Sequence, residues 1–456
     1  MASDPETRKR LLIVGGGPAG HSAATVAATL GASVTLVEDN VVGGAAHLWD
    51  CIPSKAMVSS SVRLAAIRSA SRMGISDPGE VELDMARLAA HLDAVATSIG
   101  GGISTMLDSQ GVTVLRGKAA LTGANAASVH TKDGSIEVDF DVALLATGSR
   151  PFIPEWASVD GDRQLTTRHA YHLPELPEHL IVVGSGVTGV EMVHIFSSLG
   201  SRVTLLVSRH HVLPHRDAEV AVVLEDDFLD RGVALLKGSR AASAVTTDSG
   251  VVVETEDGRR VEGSHMLLAV GSTPNSEGLG LEAAGIASER GYVQVDDYQR
   301  TNIGHIYAAG DLTGQMPLSS VAAMQGRKIA RHATGHHVTP LDYGKVAQAI
   351  FTEPEIASVG LEEVGAAAEG RKVRITKVPF AANPRALIQG QPRGFAKVIS
   401  DPATHIVLGG TVVGHHASEL VASIALCVTA GVRVDTLVET LMVHPSLSES
   451  ITEAAE

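Results

Sequence analysis

Two cysteines in 456 residues, Cys51 and Cys427, leave no basis for a framework of structural disulfides. Aromatic side chains amount to only 3%, too few for a platform on which bases stack. Positive charge is also short. Thirty-six Lys and Arg stand against 51 Asp and Glu, a formal net charge of −15 with the signs interspersed. Such a field repels polyphosphate backbones, which disfavours nucleic-acid binding, and otherwise serves solubility. The stretch Met1 to Arg10 is polar and carries no secretory apolar core, and no apolar run reaches the roughly 18 residues of a membrane span. The expectation is a soluble, cytoplasmic chain.

Glycine is plentiful, at 47 residues, within a chain that is 44% hydrophobic. The length suits about three domains, each able to bury a core. Many tight turns among apolar runs suit an α/β fold.

The turns have a pattern. Leu11-Leu12-Ile13-Val14 stops at Gly15-Gly16-Gly17-Pro18-Ala19-Gly20, an Ala-rich helical stretch follows from His21 to Leu30, and a strand follows over Ser33 to Glu38. The same unit recurs as Leu180 to Val183, then Gly184-Ser185-Gly186-Val187-Thr188-Gly189, a helix to about Leu199 and a strand over Arg202 to Val207. Each unit measures 23 positions from its first glycine to the end of its second strand, 15 to 38 and 184 to 207. One G-x-G-x-x-G is weak evidence; two, each between strand and helix at equal spacing, are strong evidence for two dinucleotide sites. Further strands are expected at Val142 to Leu145, Met266 to Val270 and Ile306 to Ala309. From about Pro340 the pattern becomes α+β, with strands at Ala396 to Ile399 and Ile406 to Val413 and helices at Ser418 to Thr429 and Val434 to Leu441.

These features resemble the flavin-dependent pyridine nucleotide–disulfide oxidoreductases, the family of lipoamide dehydrogenase, glutathione reductase and mercuric reductase. Beside the glycine motifs, the resemblance rests on Cys51-Ile52-Pro53-Ser54-Lys55, Ala146-Thr147-Gly148, Tyr307-Ala308-Ala309-Gly310-Asp311, Phe351-Thr352-Glu353-Pro354-Glu355, Leu408-Gly409-Gly410 and His444-Pro445-Ser446-Leu447-Ser448-Glu449. It runs nearly end to end. It implies two Rossmann-like domains, a discontinuous FAD domain (1–150 and 272–339) and an NAD(P) domain (151–271), followed by a C-terminal α+β dimerisation domain (340–456). It also implies a homodimer in which each active site borrows the His444 segment of its partner.

At the first motif, Gly15, Gly17 and Gly20 let the backbone approach a pyrophosphate at the helix N-terminus, and Glu38 is placed to accept hydrogen bonds from the adenosine ribose. By resemblance Asp311 holds the ribityl chain of FAD, and Gly44, Ala119, Thr147, Gly148 and Gly271 are further cofactor-contacting positions. The second motif, Gly184, Gly186 and Gly189, takes the nicotinamide cofactor. A carboxylate at the end of its second strand would repel a 2′-phosphate, but this chain has Val207 followed by Ser208, Arg209 and His210. Those donors favour NADPH, or use of both NADPH and NADH. Lys55 and Glu191 match the family's ion pair beside the flavin ring, where a cation favours negative charge on the reduced ring.

The family's redox cysteines stand as Cys-x4-Cys. Here the second is Cys51 and the first position is Ala46, within Gly43-Gly44-Ala45-Ala46-His47-Leu48-Trp49-Asp50-Cys51. A dithiol relay needs one sulfur to attack and another to resolve. The expected activity is therefore transfer of hydride from NAD(P)H to flavin and of electrons directly to a quinone or dye, and the stretch resembles actinobacterial lipoamide dehydrogenase-like quinone reductases. Two alternatives stay open. One is a dihydrolipoamide dehydrogenase-like or single-cysteine disulfide or peroxide reductase working through Cys51; the other is a non-catalytic flavoprotein redox sensor. His444 and Glu449 match the family's acid/base pair; His444 either protonates a quinone oxygen or is a remnant held by packing. His47, four residues before Cys51, either lowers the thiol pKa or is a partly buried helix residue. Cys427, in an apolar helical stretch, reads as a buried structural cysteine. No residues suggest a metal.

Overall fold

Leu11 to Val14 are all buried, so this run leaves no face for water and forms an internal parallel strand. The same holds for Leu180 to Val183. The computed structural model describes residues 8–76, 79 and 81–456. The first seven residues of the expected FAD domain, and residues 77, 78 and 80 within it, lie outside the described residues.

Four strands come first: β1 (Arg10–Val14), β2 (Ser33–Glu38), β3 (Thr113–Arg116) and β4 (Val142–Leu145). Five follow: β5 (Gln164–Thr166), β6 (His179–Val183), β7 (Arg202–Val207), β8 (Ala234–Lys237) and β9 (His265–Leu268). Then come β10 (Ile306–Ala308) and a last group, β11 (Gln348–Ile350), β12 (Glu355–Gly360), β13 (Arg374–Pro379), β14 (Phe395–Ser400) and β15 (Val407–Gly414).

The chain divides into two units. The first comprises Met1–Pro53, Ala89–Phe152 and Gly271–Leu341. Its parallel sheet runs β10-β4-β1-β2-β3. Alternation sends Leu11, Ile13, Leu36 and Leu144 towards helices α1 (Pro18–Thr29) and Ser319–Ala333, and Leu12, Val14, Val37 and Leu145 towards a three-stranded antiparallel sheet over residues 118–139.

The second unit comprises Ser54–Leu88, Ile153–Val270 and Asp342–Glu456. It holds a parallel sheet of order β8-β7-β6-β9-β5 and an antiparallel sheet of order β11-β12-β15-β14-β13. Helices α2 (Ile52–Arg68, which begins at the unit boundary), α3 (Val187–Leu199) and α4 (Ala218–Asp230) precede α5 (Ala417–Ala430). No helix among the described residues is long and apolar enough to cross a membrane.

Three local expectations need correction. The strand expected to reach Val270 ends at Leu268, because Ala269 turns its carbonyl against Gly184 and the chain leaves through Gly271 at φ +115°. The helix expected to reach Leu441 stops at Val438. Leu441 is 98% exposed and Val443 76%, so these two apolar side chains find no core, while Met442 between them packs against the C-terminal one. The stretch Ala46–Cys51 is π-helical, with the Ile52 N–H bonded to the His47 carbonyl. That i→i+5 bonding displaces the shared face on which an α-helix would set His47 and Cys51.

Candidate functional site

The glycine turns are built alike. A Cβ on Gly15 would lie 2.3 Å from the Ala146 carbonyl oxygen, and one on Gly184 would lie 2.3 Å from that of Ala269. A Cβ on Gly20 or Gly189 would strike the carbonyl oxygen of Gly15 or Gly184 at 1.9 and 1.8 Å. The first and third glycines are thus required by the turn and by strand–helix packing. The middle ones differ. A Cβ on Gly17 would have only Gly44 Cα within reach, at 3.8 Å, and one on Gly186 would meet nothing within 4 Å. Each middle glycine therefore borders open space at a helix N-terminus, a cradle that fits a pyrophosphate.

Around the first turn, Glu38 is buried at the end of β2. Its Oε2 accepts the Gly16 N–H at 2.7 Å and its Oε1 the Asn40 N–H at 2.8 Å. Burial raises this carboxyl above its usual range, and the two N–H donors oppose the rise. Each oxygen keeps acceptor capacity for ribose hydroxyls. Gly44 closes on the turn, since a Cβ there would lie 2.4 Å from Gly17 Cα. Ala119 is buried in the antiparallel sheet, paired with Val129. Thr147 and Gly148 are tied to Asn275: the Thr147 hydroxyl donates to the Asn275 carbonyl at 2.7 Å, the Asn275 amide to the Thr147 carbonyl at 3.0 Å, and the Asn275 N–H to the Gly148 carbonyl at 2.9 Å. Asp311 Oδ2 accepts the Ser149 hydroxyl at 2.7 Å. These residues, all of the first unit, fit FAD.

Cys51 Sγ lies 3.6 Å from the Ser319 hydroxyl, at the first residue of Ser319–Ala333, where a helix N-terminus favours negative charge. Burial holds His47 below the ordinary imidazole range, so near neutral pH it brings no positive charge to the thiol. Its Nδ1 has no hydrogen-bond partner among the described residues. Both cysteines are free thiols. Cys427 is buried in the apolar core beneath β15, and that burial raises its pKa.

In the second unit Lys55, on α2, and Glu191, on α3, meet with Nζ 2.8 Å from Oε2. The other oxygen of buried Glu191 accepts the Phe351 N–H at 2.9 Å, and the Phe351 ring centroid lies 4.8 Å from the lysine nitrogen. A cation over an aromatic face is held electrostatically as well as by its ion pair. His444 Nδ1 lies 2.8 Å from Glu449 Oε1, whose companion oxygen accepts the Ser446 N–H at 2.8 Å. The Ser446 N–H and then His444 hold Glu449 below the usual carboxylate range. Ser208, Arg209 and His210 are exposed beyond β7, and Gly271 borders open space.

Phe351, Asn275, Ser149 and Ser319 had no assigned role in the sequence. Phe351 stands in a recognised motif, but its contribution is a backbone N–H and a ring face, which no motif spells out. For the other three the sequence carries no signal.

The family description "pyridine nucleotide-disulphide oxidoreductase" matches residues 9–326, and its dimerisation domain matches residues 346–455. A relative from Mycobacterium tuberculosis named NAD(P)H dehydrogenase (quinone) is 44% identical over 98% of this chain and 93% of its own length. Dihydrolipoyl dehydrogenase of Chlorobaculum parvum is 35% identical over 97% of this chain and 95% of its own. Among solved structures, LpdA of M. tuberculosis is similar with a TM-score of 0.93 at 44% identity, covering 98% of this chain and 99% of that one. The HOCl-induced flavoprotein disulfide reductase RclA of Escherichia coli is similar with a TM-score of 0.88 at 26% identity, covering 98% and 99%. On these matches and on two intact dinucleotide cradles, the chain belongs to the pyridine nucleotide-disulphide oxidoreductase family, enzymes that use FAD and NAD(P)H.

Proposed function

We propose that this protein is an FAD-dependent NAD(P)H:quinone, or dye, oxidoreductase that hands electrons to its acceptor without a dithiol relay. The observation that carries this reading is Ala46, at the position where the first sulfur of the family's thiol pair would stand. Cys427 is buried in the apolar core beneath β15, the setting of a structural cysteine. The name of the M. tuberculosis relative supports the same acceptor class.

When bound, FAD supplies acceptance of hydride from NAD(P)H and delivery of one or two electrons to an acceptor. The chain's part is to bind and to polarise. Gly15, Gly17, Gly20, Gly44, Glu38, Ala119, Thr147, Gly148 and Asp311 hold FAD; Gly184, Gly186, Gly189, Gly271, Ser208, Arg209 and His210 hold the nicotinamide dinucleotide, NADPH before NADH. Lys55, fixed by Glu191, places positive charge to favour an electron-rich ring. His444, oriented by Glu449, carries a proton to the acceptor oxygen from across a homodimer interface. The exposure of Leu441 and Val443 just before His444, and the match to a dimerisation domain, support that interface.

The test is turnover of a simple naphthoquinone with NADPH, set beside anaerobic titration of the enzyme-bound flavin. The expected result is rapid quinone reduction and full reduction by two electrons per flavin. His444→Ala should slow quinone turnover about tenfold or more while flavin reduction by NADPH stays unchanged, the scale of lost general-acid help. Uptake of four electrons per flavin, with lipoamide outpacing quinone, would instead establish a thiol-based route through Cys51.

A further inference from the structure

β7 and β8 are neighbouring parallel strands, and their last residues, Val207 and Lys237, face each other in register. Neighbouring strands lie about 4.8 Å apart, and laterally paired residues project to the same side. The end of β8 therefore reaches the rim where the turn Ser208 to His211 leaves β7. That turn is exposed, and the Arg209 guanidinium has no ion pair among the described residues. The Gly238 N–H bonds the Val207 carbonyl at 2.8 Å and the Arg209 carbonyl at 3.3 Å, which ties the turn to the end of β8.

Beneath this basic rim stands a buried carboxylate. Glu225, on α4, accepts the Val212 N–H at 2.9 Å through Oε1. Its Oε2 lies 2.6 Å from Lys237 Nζ and 3.5 Å from His211 Nδ1. Lys237 is about one-third exposed, so its ammonium lies at the rim while being drawn down towards Glu225. One negative charge is thus placed under the cations of this rim. It engages Lys237 and lowers the potential that a 2′-phosphate would meet.

We propose that the Glu225–Lys237 ion pair is a specificity determinant for the nicotinamide cofactor, restraining preference for a 2′-phosphate so that both NADPH and NADH are accepted. This rests on the reading that the second glycine motif holds the dinucleotide with its ribose at the Ser208 to His210 turn. With Glu225 neutralised, Lys237 becomes a second phosphate-binding cation beside Arg209. With Lys237 removed, Glu225 is left as an uncompensated anion under the phosphate. A bare 2′-hydroxyl responds far less to either change.

The experiment measures binding of 2′,5′-ADP and of 5′-AMP to the flavin-loaded enzyme by calorimetry at fixed, moderate salt. Glu225→Gln keeps an acceptor for the Val212 N–H and should tighten 2′,5′-ADP about tenfold, while Lys237→Met should weaken it by a similar factor, the scale of one charge-assisted contact. In both variants 5′-AMP should change less than about twofold, as expected for an uncharged hydroxyl. Lys237→Arg should preserve the wild-type ratio, and the double variant Glu225→Gln/Lys237→Met should return near it. Wild type that prefers 2′,5′-ADP with a ratio unmoved in either single variant overturns this inference and leaves the NADPH reading intact. Wild type with no such preference, followed by a preference gained in Glu225→Gln, removes the NADPH reading and upholds the pair as the restraint. Equal loss of both nucleotides in both variants assigns the pair to folding alone and also overturns the proposal.

Discussion

The two glycine turns close on their strands with almost the same clearances, yet their second strands end in opposite chemistry. β2 ends in a buried carboxylate, Glu38, that is already bonded to the turn it follows, because Gly16 donates to it. β7 ends in buried Val207, and the charge comes afterwards in an exposed turn anchored from below by Glu225. The first turn is narrowed by Gly44, on which a Cβ would lie 2.4 Å from Gly17 Cα. The second has no counterpart of Gly44 among the described residues, since a Cβ on Gly186 would face open space. That is the arrangement expected of a cofactor that must come and go each turnover. One backbone device is thus built twice, with different side chains around it.

The largest effects should come from the feature the sites share. Gly20→Ala and Gly189→Ala each drive a methyl group into a backbone oxygen at under 2 Å, with no flexible side chain to yield. Gly20→Ala should be purified with little or no flavin, read from the absorbance ratio of the product. Gly189→Ala should keep its flavin and lose reduction by NADPH about tenfold or more, because the helix N-terminus is pushed off its strand, read by stopped flow. Loss of flavin from Gly189→Ala would show that the sites are not independent and break the comparison.

A smaller, asymmetric effect is expected around the middle glycine of each turn, Gly17 and Gly186. Gly44→Ala should release flavin, because its Cβ meets Gly17 Cα at 2.4 Å, whereas Gly186→Ala should fold normally and raise the nucleotide dissociation constant about tenfold by filling the pyrophosphate approach. Flavin content and equilibrium titration distinguish the two.

The mildest effect is pH-dependent and belongs to the first site alone. Burial raises the Glu38 pKa in the folded chain above its unfolded value. Its contribution to folding stability is therefore fully present below the unfolded pKa, about 4.3, and is lost as pH rises through the raised folded value. Flavin retention runs the other way. As pH falls through the raised value, Glu38 gains a proton and loses acceptor strength towards the ribose. Flavin release on acidification should begin above the ordinary carboxylate range, and Glu38→Gln should remove that pH-dependent step, as followed by flavin fluorescence. An unchanged release curve in Glu38→Gln would deprive Glu38 of its place at the ribose.

Much of this was legible in the sequence because it is local. A glycine that cannot carry a Cβ and an apolar run buried on both faces are each decided within a few residues, so β2, β4 and β7 run as the pattern predicts, although the helix expected from His21 starts at Pro18. The π-helical turn Ala46–Cys51 was not legible, since nothing in its composition separates i→i+5 from i→i+4 bonding. Nor was the early end of the helix at Val438, because periodicity reports which residues are apolar and not whether a core waits for them.

The pairing of Lys55 with Glu191 was implied by resemblance, but its fixing by the Phe351 N–H and ring required three distant segments to close on one point. The Glu225 cluster depends likewise on the register of β7 with β8 and on the seating of α4. Sequence alone determined the two dinucleotide turns and the missing sulfur at Ala46, because turn geometry and the count of thiols are properties of short stretches of chain. Tertiary structure alone decided which buried charges stand beneath those turns, because an ion pair between remote residues exists only after packing has excluded the water that would otherwise screen it.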